Sequence, residues 1–210
     1  MQPVLAAGKG KVQVLQGRVG GGAALCGVRL FLPPQYRTAA NAAQRGTATH
    51  AALQYLDLAR TGSEEGLRRE LRRLTECGLL TPEQAACADT GALLRFARSA
   101  LCRRILAAEV CRREFRFTLL AEAADYFDAP AGEKLLLQGV VDCFIVEDGA
   151  ITVIDYKTDR VTPDEVPARA AHYAPQLRAY AAALERICAL PVRQCLLYFL
   201  TPGVEYPLPL

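Results

Sequence analysis

The stretch that most constrains this chain runs from Gln138 to Arg160, QGVVDCFIVEDGAITVIDYKTDR. Asp148-Gly149 stands between two apolar runs and is a strong hairpin signal, because both turn positions favour positive φ. With those two residues as the loop, Glu147 faces Ala150, and the same count sets Asp142 opposite Asp155. Lys157 then lies opposite Val140, on the face of Asp155 and two residues along. Opposed Cβ atoms on neighbouring strands are roughly 4.5–5.5 Å apart. A tight turn thus brings two carboxylates and an ammonium together.

The neighbours of these charges are apolar on both faces, with Val140, Phe144, Val146 and Val153 on one side and Val141, Cys143, Ile145 and Ile154 on the other. Strands apolar on both faces are usually buried. Two carboxylates about 5 Å apart repel by about 3 kcal/mol at an effective dielectric near 20. Either one is protonated or a cation sits between them. Lys157 supplies one charge, and a divalent metal with hard oxygen ligands would supply two more. The competing reading is an exposed hairpin with solvated charges. A slip of one residue would send one carboxylate to the opposite face.

The 210 residues suffice for one domain with a real core, and the net charge of +3 does not by itself indicate a polyanionic partner. No apolar run approaches the roughly 20 residues of a membrane span. The N-terminus lacks a signal-peptide pattern, so a cytoplasmic location is expected. The eight cysteines are scattered singly with no C-x-x-C. They read as reduced residues of apolar positions, not as a disulfide framework or an iron–sulfur site.

Residues 1–36, rich in Gly and Ala, read as an irregular lead-in, with a short strand expected at Val28–Leu32. A nearly phosphate-loop-like AAGKGK lacks the required spacing. Thr38 to Arg60 reads as helix interrupted at Gly46, with Thr47 capping the second part. Ser63 opens a helix with acids in its first turn, ending near Gly78. Thr81-Pro82-Glu83 opens another, and Thr90 to Ala108 is a further one. Arg113–Leu120 has strand composition, then come the hairpin, a loop at Pro163–Pro167, a helix over Ala168–Ala189 and a strand over Val192–Leu200. Helices followed by β-β-β-α-β make an α/β plan with a mixed sheet, a helical part over 37–110 preceding a core over 111–210.

Tyr173, Gln176 and Tyr180 recur at i, i+3 and i+7 on one face of the last helix. They read either as core tyrosines with a chance glutamine or as a second polar cluster. His50, one of only two histidines, is either structural or a ligand for the cation the hairpin needs. His172 reads as surface.

In this order GTATH (46–50), QGVVD (138–142), IDYKTD (154–159) and QLRAY (176–180) resemble the RecB-type nuclease domain, and within it the AddA branch of helicase–nuclease proteins. The resemblance runs roughly from Asn41 to Leu200. It implies a restriction-endonuclease-like PD-(D/E)xK fold and Mg²⁺-dependent hydrolysis of DNA phosphodiesters leaving 5′-phosphates, with Mn²⁺ able to substitute. The implied metal ligands are His50, Asp142, Asp155 and the backbone carbonyl of Tyr156. Lys157 would orient water and stabilise charge, Gln176 would hold Lys157 or that water, and Tyr180 would support the site or touch the strand. Glu114 and Tyr173 would back these residues from behind. Glu114 matches a family acid at the start of a strand, and Pro175 departs from the family pattern and is expected to start a new helix.

The implied setting is repair of double-strand breaks on single-stranded DNA, beside a helicase motor and an AddB-like partner. No Walker motif is present, so the chain looks like an excised domain or the tail of a larger protein. The iron–sulfur cysteines of AddB-like relatives are missing. Arginines at 68, 69, 72, 73, 103, 104, 112, 113 and 116 could steer DNA or be merely solvated. The rival to a nuclease is a DNA-binding or docking module that kept the fold.

Overall fold

The hairpin forms where Asp148-Gly149 demands it: Asp148 has φ 48° and Gly149 φ 69°. The computed structural model describes residues 13–15, 42–125 and 128–209. Among these are six strands and six α-helices: β1 (Gln13–Leu15), α1 (Ala42–Tyr55), α2 (Glu64–Glu76), α3 (Pro82–Cys87), α4 (Thr90–Ala97), α5 (Ala100–Ala107), β2 (Val110–Glu122), β3 (Lys134–Glu147), β4 (Ala150–Lys157), α6 (Val166–Cys188), β5 (Val192–Phe199) and β6 (Val204–Leu208). The strand expected at Val28–Leu32 and the helix start at Thr38 lie outside the described residues.

β3 is the spine of the sheet. β2 pairs antiparallel along it from Val110↔Val146 to Glu122↔Lys134. On the other edge β4 pairs antiparallel from Glu147↔Ala150 to Cys143↔Ile154, the register the turn requires. That ladder stops one step short of Asp142 and Asp155. Further along the same edge β1 pairs with Leu136–Gln138, so one short strand of the lead-in joins the sheet. β4 pairs parallel with β5, whose crossover is α6, and β6 closes the far edge antiparallel to β5. β6 was not expected, since its Pro207 and short length blunt the strand signal.

Two cores sandwich the sheet. On one face α1–α5 pack through Leu53, Leu74, Leu93, Phe96 and Leu101 on Cys143, Ile145, Ile154, Tyr156 and Tyr198. On the other, α6 packs through Leu177, Tyr180 and Leu184 on Phe117, Leu137, Val141, Phe144, Val153 and Leu197. Strand residues should alternate between faces. In β3 they do so with a slip: Leu135, Leu137 and Val141 face α6, but so do Phe144 and Val146, while Cys143 and Ile145 face the helical layer. The phase resets across Asp142. β2 resets at the same level, where Glu114 has φ 51°.

Several helix boundaries differ from expectation. α1 runs unbroken through Gly46, which is buried; a Cβ there would lie 2.8 Å from Oγ1 of Thr158. The glycine permits close approach and does not break the helix. The helix expected over Thr90–Ala108 is two, because Ser99 caps α5 by accepting from the amide of Cys102. Pro163–Glu165 is a 3-10 turn, and α6 starts already at Val166. Pro175 sits inside α6, which continues through it, so no new helix starts there.

Candidate active site

Where the β3–β4 ladder ends, the two strands carry Asp142 and Asp155 into the mouth of a cleft of ≈ 490 Å³, whose walls include Arg45, His50, Lys157, Arg160 and Tyr173. Asp142 is 3% exposed and Asp155 1%. Oδ2 of Asp142 accepts from the backbone N–H of Tyr156 at 3.0 Å and lies 3.4 Å from Nδ1 of His50. The ring of Tyr156 turns away into the helical layer, edge-on to Phe96 at 5.1 Å. Gly46 lets α1 lie close enough for His50, one turn on, to reach the carboxylate.

Oδ2 of Asp155 lies 2.6 Å from Nζ of Lys157, yet no donor is directed at it as a hydrogen bond. Burial, and next the charge of Asp142, push the Asp155 pKa above the usual carboxylate value, and Lys157 opposes them. Nζ of Lys157 also donates to Oε1 of Gln176 at 3.2 Å, and Nε2 of Gln176 donates to the Tyr180 hydroxyl at 2.8 Å. Tyr180 is fully buried, its ring edge-on to Phe117 at 6.0 Å. Burial drives its pKa up. A sealed phenol cannot meet a DNA strand, so its reach into the site is through Gln176 alone.

Glu114 is in mid-strand, not at a strand start. By the β2–β3 count it stands across from Asp142, and its carboxylate, an Asp142 oxygen and a His50 nitrogen lie within 4.8 Å of one another. Acids from β2, β3 and β4 thus stand side by side across the sheet. Only the pattern RREFRF pointed to Glu114 in the sequence; its positive φ has no sequence signal in a glutamate. A non-glycine residue held at such a φ costs of order 1–3 kcal/mol, and strain of this kind clusters at functional sites.

Tyr173 does more than back the site. Nζ of Lys157 sits 3.8 Å from its ring centroid, and its hydroxyl donates to Oδ2 of Asp159 at 2.9 Å. Arg169 holds the other oxygen of Asp159 at 2.6 and 2.9 Å. Sequence reasoning passed over Asp159 and Arg169, since nothing in their spacing links a post-strand loop to a helix ten residues on. His172 is exposed beside Tyr173.

The arginine-rich first half is not turned to the cleft. Arg68, Arg69 and Arg73 pair with Glu64, Glu65 and Glu70 along α2. Arg104 binds Glu147, Gln194 and Thr152, and Arg113 caps the end of α1 through the carbonyls of Leu53 and Leu56. The cations lining the cleft are Arg45, Lys157 and Arg160. The seven cysteines of the described residues are free, and Cys26 lies outside them. No helix among the described residues is long and apolar enough to cross a membrane.

A mixed sheet that splits to present carboxylates and a lysine, with helices on both faces, defines a nuclease-type fold. The chain matches the model of the PD-(D/E)XK nuclease superfamily over residues 24–206, and it belongs to that family. It is 40% identical over 171 residues to an ATP-dependent helicase/nuclease protein (AddA) of Moorella thermoacetica, covering 79% of this chain and 12% of that protein. The protein of the same description from Bacillus cereus is 37% identical over 167 residues, covering 75% of this chain and 14% of the relative. The chain therefore spans about an eighth of the length of these curated relatives. A solved structure described as SSO0001 aligns with a TM-score of 0.37 and 20% identity, over 72% of this chain and 64% of that one.

Proposed function

We propose that this chain is a nuclease module that hydrolyses DNA phosphodiester bonds with Mg²⁺ at the Asp142–Asp155 site. The observation that carries the reading is the buried carboxylate pair with Lys157 against it. Oδ2 of Asp155, buried and with no hydrogen-bond donor, is the kind of orphaned acceptor a cation satisfies. The donor set of carboxylates with one imidazole suits Mg²⁺ or Mn²⁺. His50, Asp142 and Asp155 would hold the ion with the carbonyl of Tyr156, and Glu114 is near enough to His50 and Asp142 to join them.

When bound, the cation polarises the phosphate and acidifies water. The remaining work belongs to the side chains. Lys157, held by Gln176, offers its ammonium to the charge that builds on the phosphate oxygens as water adds. Tyr180 fixes the amide of Gln176 so that its oxygen faces the lysine. Water's oxygen ends on phosphorus, the P–O3′ bond breaks and the 3′ oxygen takes up a proton, leaving a 5′-phosphate. The scarcity of water around Asp155 strengthens each of these interactions.

By likeness to the helicase/nuclease relatives, the module would act in the cytoplasm in double-strand-break repair and recombination. A motor on the same polypeptide would deliver single-stranded DNA, alongside an AddB-like partner. The test is degradation of labelled single-stranded and duplex DNA by the purified full chain with Mg²⁺, Mn²⁺ or EDTA. Cation-dependent loss of substrate is expected, abolished in Asp155→Ala and Lys157→Ala with unchanged circular dichroism. Undiminished cutting by Asp155→Ala would sink the reading. DNA binding by the wild type without cation-dependent cutting would make this a docking module.

A further inference from the structure

We infer that Tyr173 is a positioning residue for Lys157, acting through the face of its ring, and that Asp159 and Arg169 form the clamp that holds the ring there. This rests on the reading of Lys157 as the charge-stabilising residue. The lysine side chain is only 13% exposed. Its ammonium has three neighbours of different kinds: a carboxylate oxygen of Asp155 at 2.6 Å, the amide oxygen of Gln176 at 3.2 Å and the ring of Tyr173 at 3.8 Å. The two oxygens fix the ammonium from β4 and α6. The ring occupies a third direction and attracts the ammonium with its face without taking its protons, because a π face accepts no full hydrogen bond.

The ring could not hold that position unaided, since a half-buried tyrosine has two free torsions. Its hydroxyl is tied to Oδ2 of Asp159, whose other oxygen is gripped twice by Arg169, with the guanidinium 5.2 Å from the same ring centroid. Arg169 and Tyr173 are four apart on α6, so they share a face, and Asp159 comes from the loop after β4. The clamp therefore joins the strand end that carries Lys157 to the helix that carries Gln176. A ring placed this way leaves the lysine's N–H bonds for acceptors, which is what a group meant for a phosphate oxygen requires.

The test compares Tyr173→Phe, Tyr173→Leu and Tyr173→Met with wild type and Lys157→Ala, in the full chain, by kcat and KM on single-stranded DNA with Mg²⁺ and by melting temperature. Tyr173→Phe keeps the face and loses only the tie to Asp159, so kcat stays within about fivefold of wild type. Tyr173→Leu and Tyr173→Met lose the face, so kcat falls by roughly 30-fold with KM little changed. If Leu unfolds the protein, the unbranched Met variant carries the comparison. Equal losses in Phe and Leu, a Leu or Met variant with wild-type kcat, or a rise in KM alone would each overturn the inference, the last by making the ring a contact for DNA. A wild type that never cuts DNA, or a Lys157→Ala variant that cuts normally, defeats instead the nuclease reading beneath it.

Discussion

Asp155 is 1% exposed with a raised pKa, and burial is the main cause. The folded protein therefore holds this proton more tightly than the unfolded chain does. The resulting stabilisation is full below the ordinary carboxylate pKa and is lost as pH rises through the raised one. In EDTA, melting scans should show this loss in wild type, whereas Asp155→Asn should lack it and melt a few degrees higher at pH 7. Adding Mg²⁺ should reverse the order. At 100 times its Kd the ion stabilises wild type by about 2.7 kcal/mol, and Asp155→Asn should gain far less. Glu114 belongs to the same scale. Its approach to His50 and Asp142 predicts that Glu114→Gln weakens Mn²⁺ binding by about tenfold or more, measured by calorimetry. An unchanged affinity would return Glu114 to a purely structural part.

Among the elements, α1 and β4 meet at one point of close approach. A methyl at Gly46 would lie 2.8 Å from Oγ1 of Thr158, so Gly46→Ala must push either the helix or the threonine. Alanine gains about 1 kcal/mol of helix propensity, which offsets part of the strain. Stability should therefore change by less than about 1 kcal/mol, while His50 shifts and nuclease activity falls. Thr158→Ala in the Gly46→Ala background should restore activity by opening the space; a double variant no better than the single would show that the contact is not what matters. Gly139 is tighter, its added Cβ 2.7 Å from the Phe117 ring and 3.1 Å from Tyr180. Gly139→Ala should cost about 1–3 kcal/mol in denaturant unfolding, as overpacked cores do. It should also disturb Gln176 through Tyr180.

At the scale of the molecule, the sheet is held between two cores, and Phe96 is a keystone of the helical one. It is 0% exposed and meets Tyr156 and Tyr198 edge-on, both at 5.1 Å. Phe96→Ala should cost about 3–5 kcal/mol, a large share of a small domain's total stability. Denaturant melts should show it, with loss of cation binding in the same transition, because the Tyr156 ring packs on Phe96 while its backbone N–H holds Asp142. Binding that survives loss of the helical layer's packing would mean that the strands alone preserve the site.

Much of this was legible in the chain because its determinants are local. Asp148-Gly149 set the turn, the turn set the register, and the register brought Asp142 and Asp155 to the same level. The spacing of Tyr173, Gln176 and Tyr180 set one helix face. The caps at Ser63 and Thr81 opened their helices as read. What only the tertiary structure decided is of a different kind. The strand phase resets at Asp142 and Glu114, which strict alternation cannot announce. The unbroken α1, the proline carried inside α6, the sealing of Tyr180 and the Asp159–Arg169 clamp each depend on atoms far away along the chain. Turn chemistry and periodicity act over a few residues and can be read from them. Close approach, burial and the pairing of charges depend on which surfaces meet, and that is settled only when the layers pack.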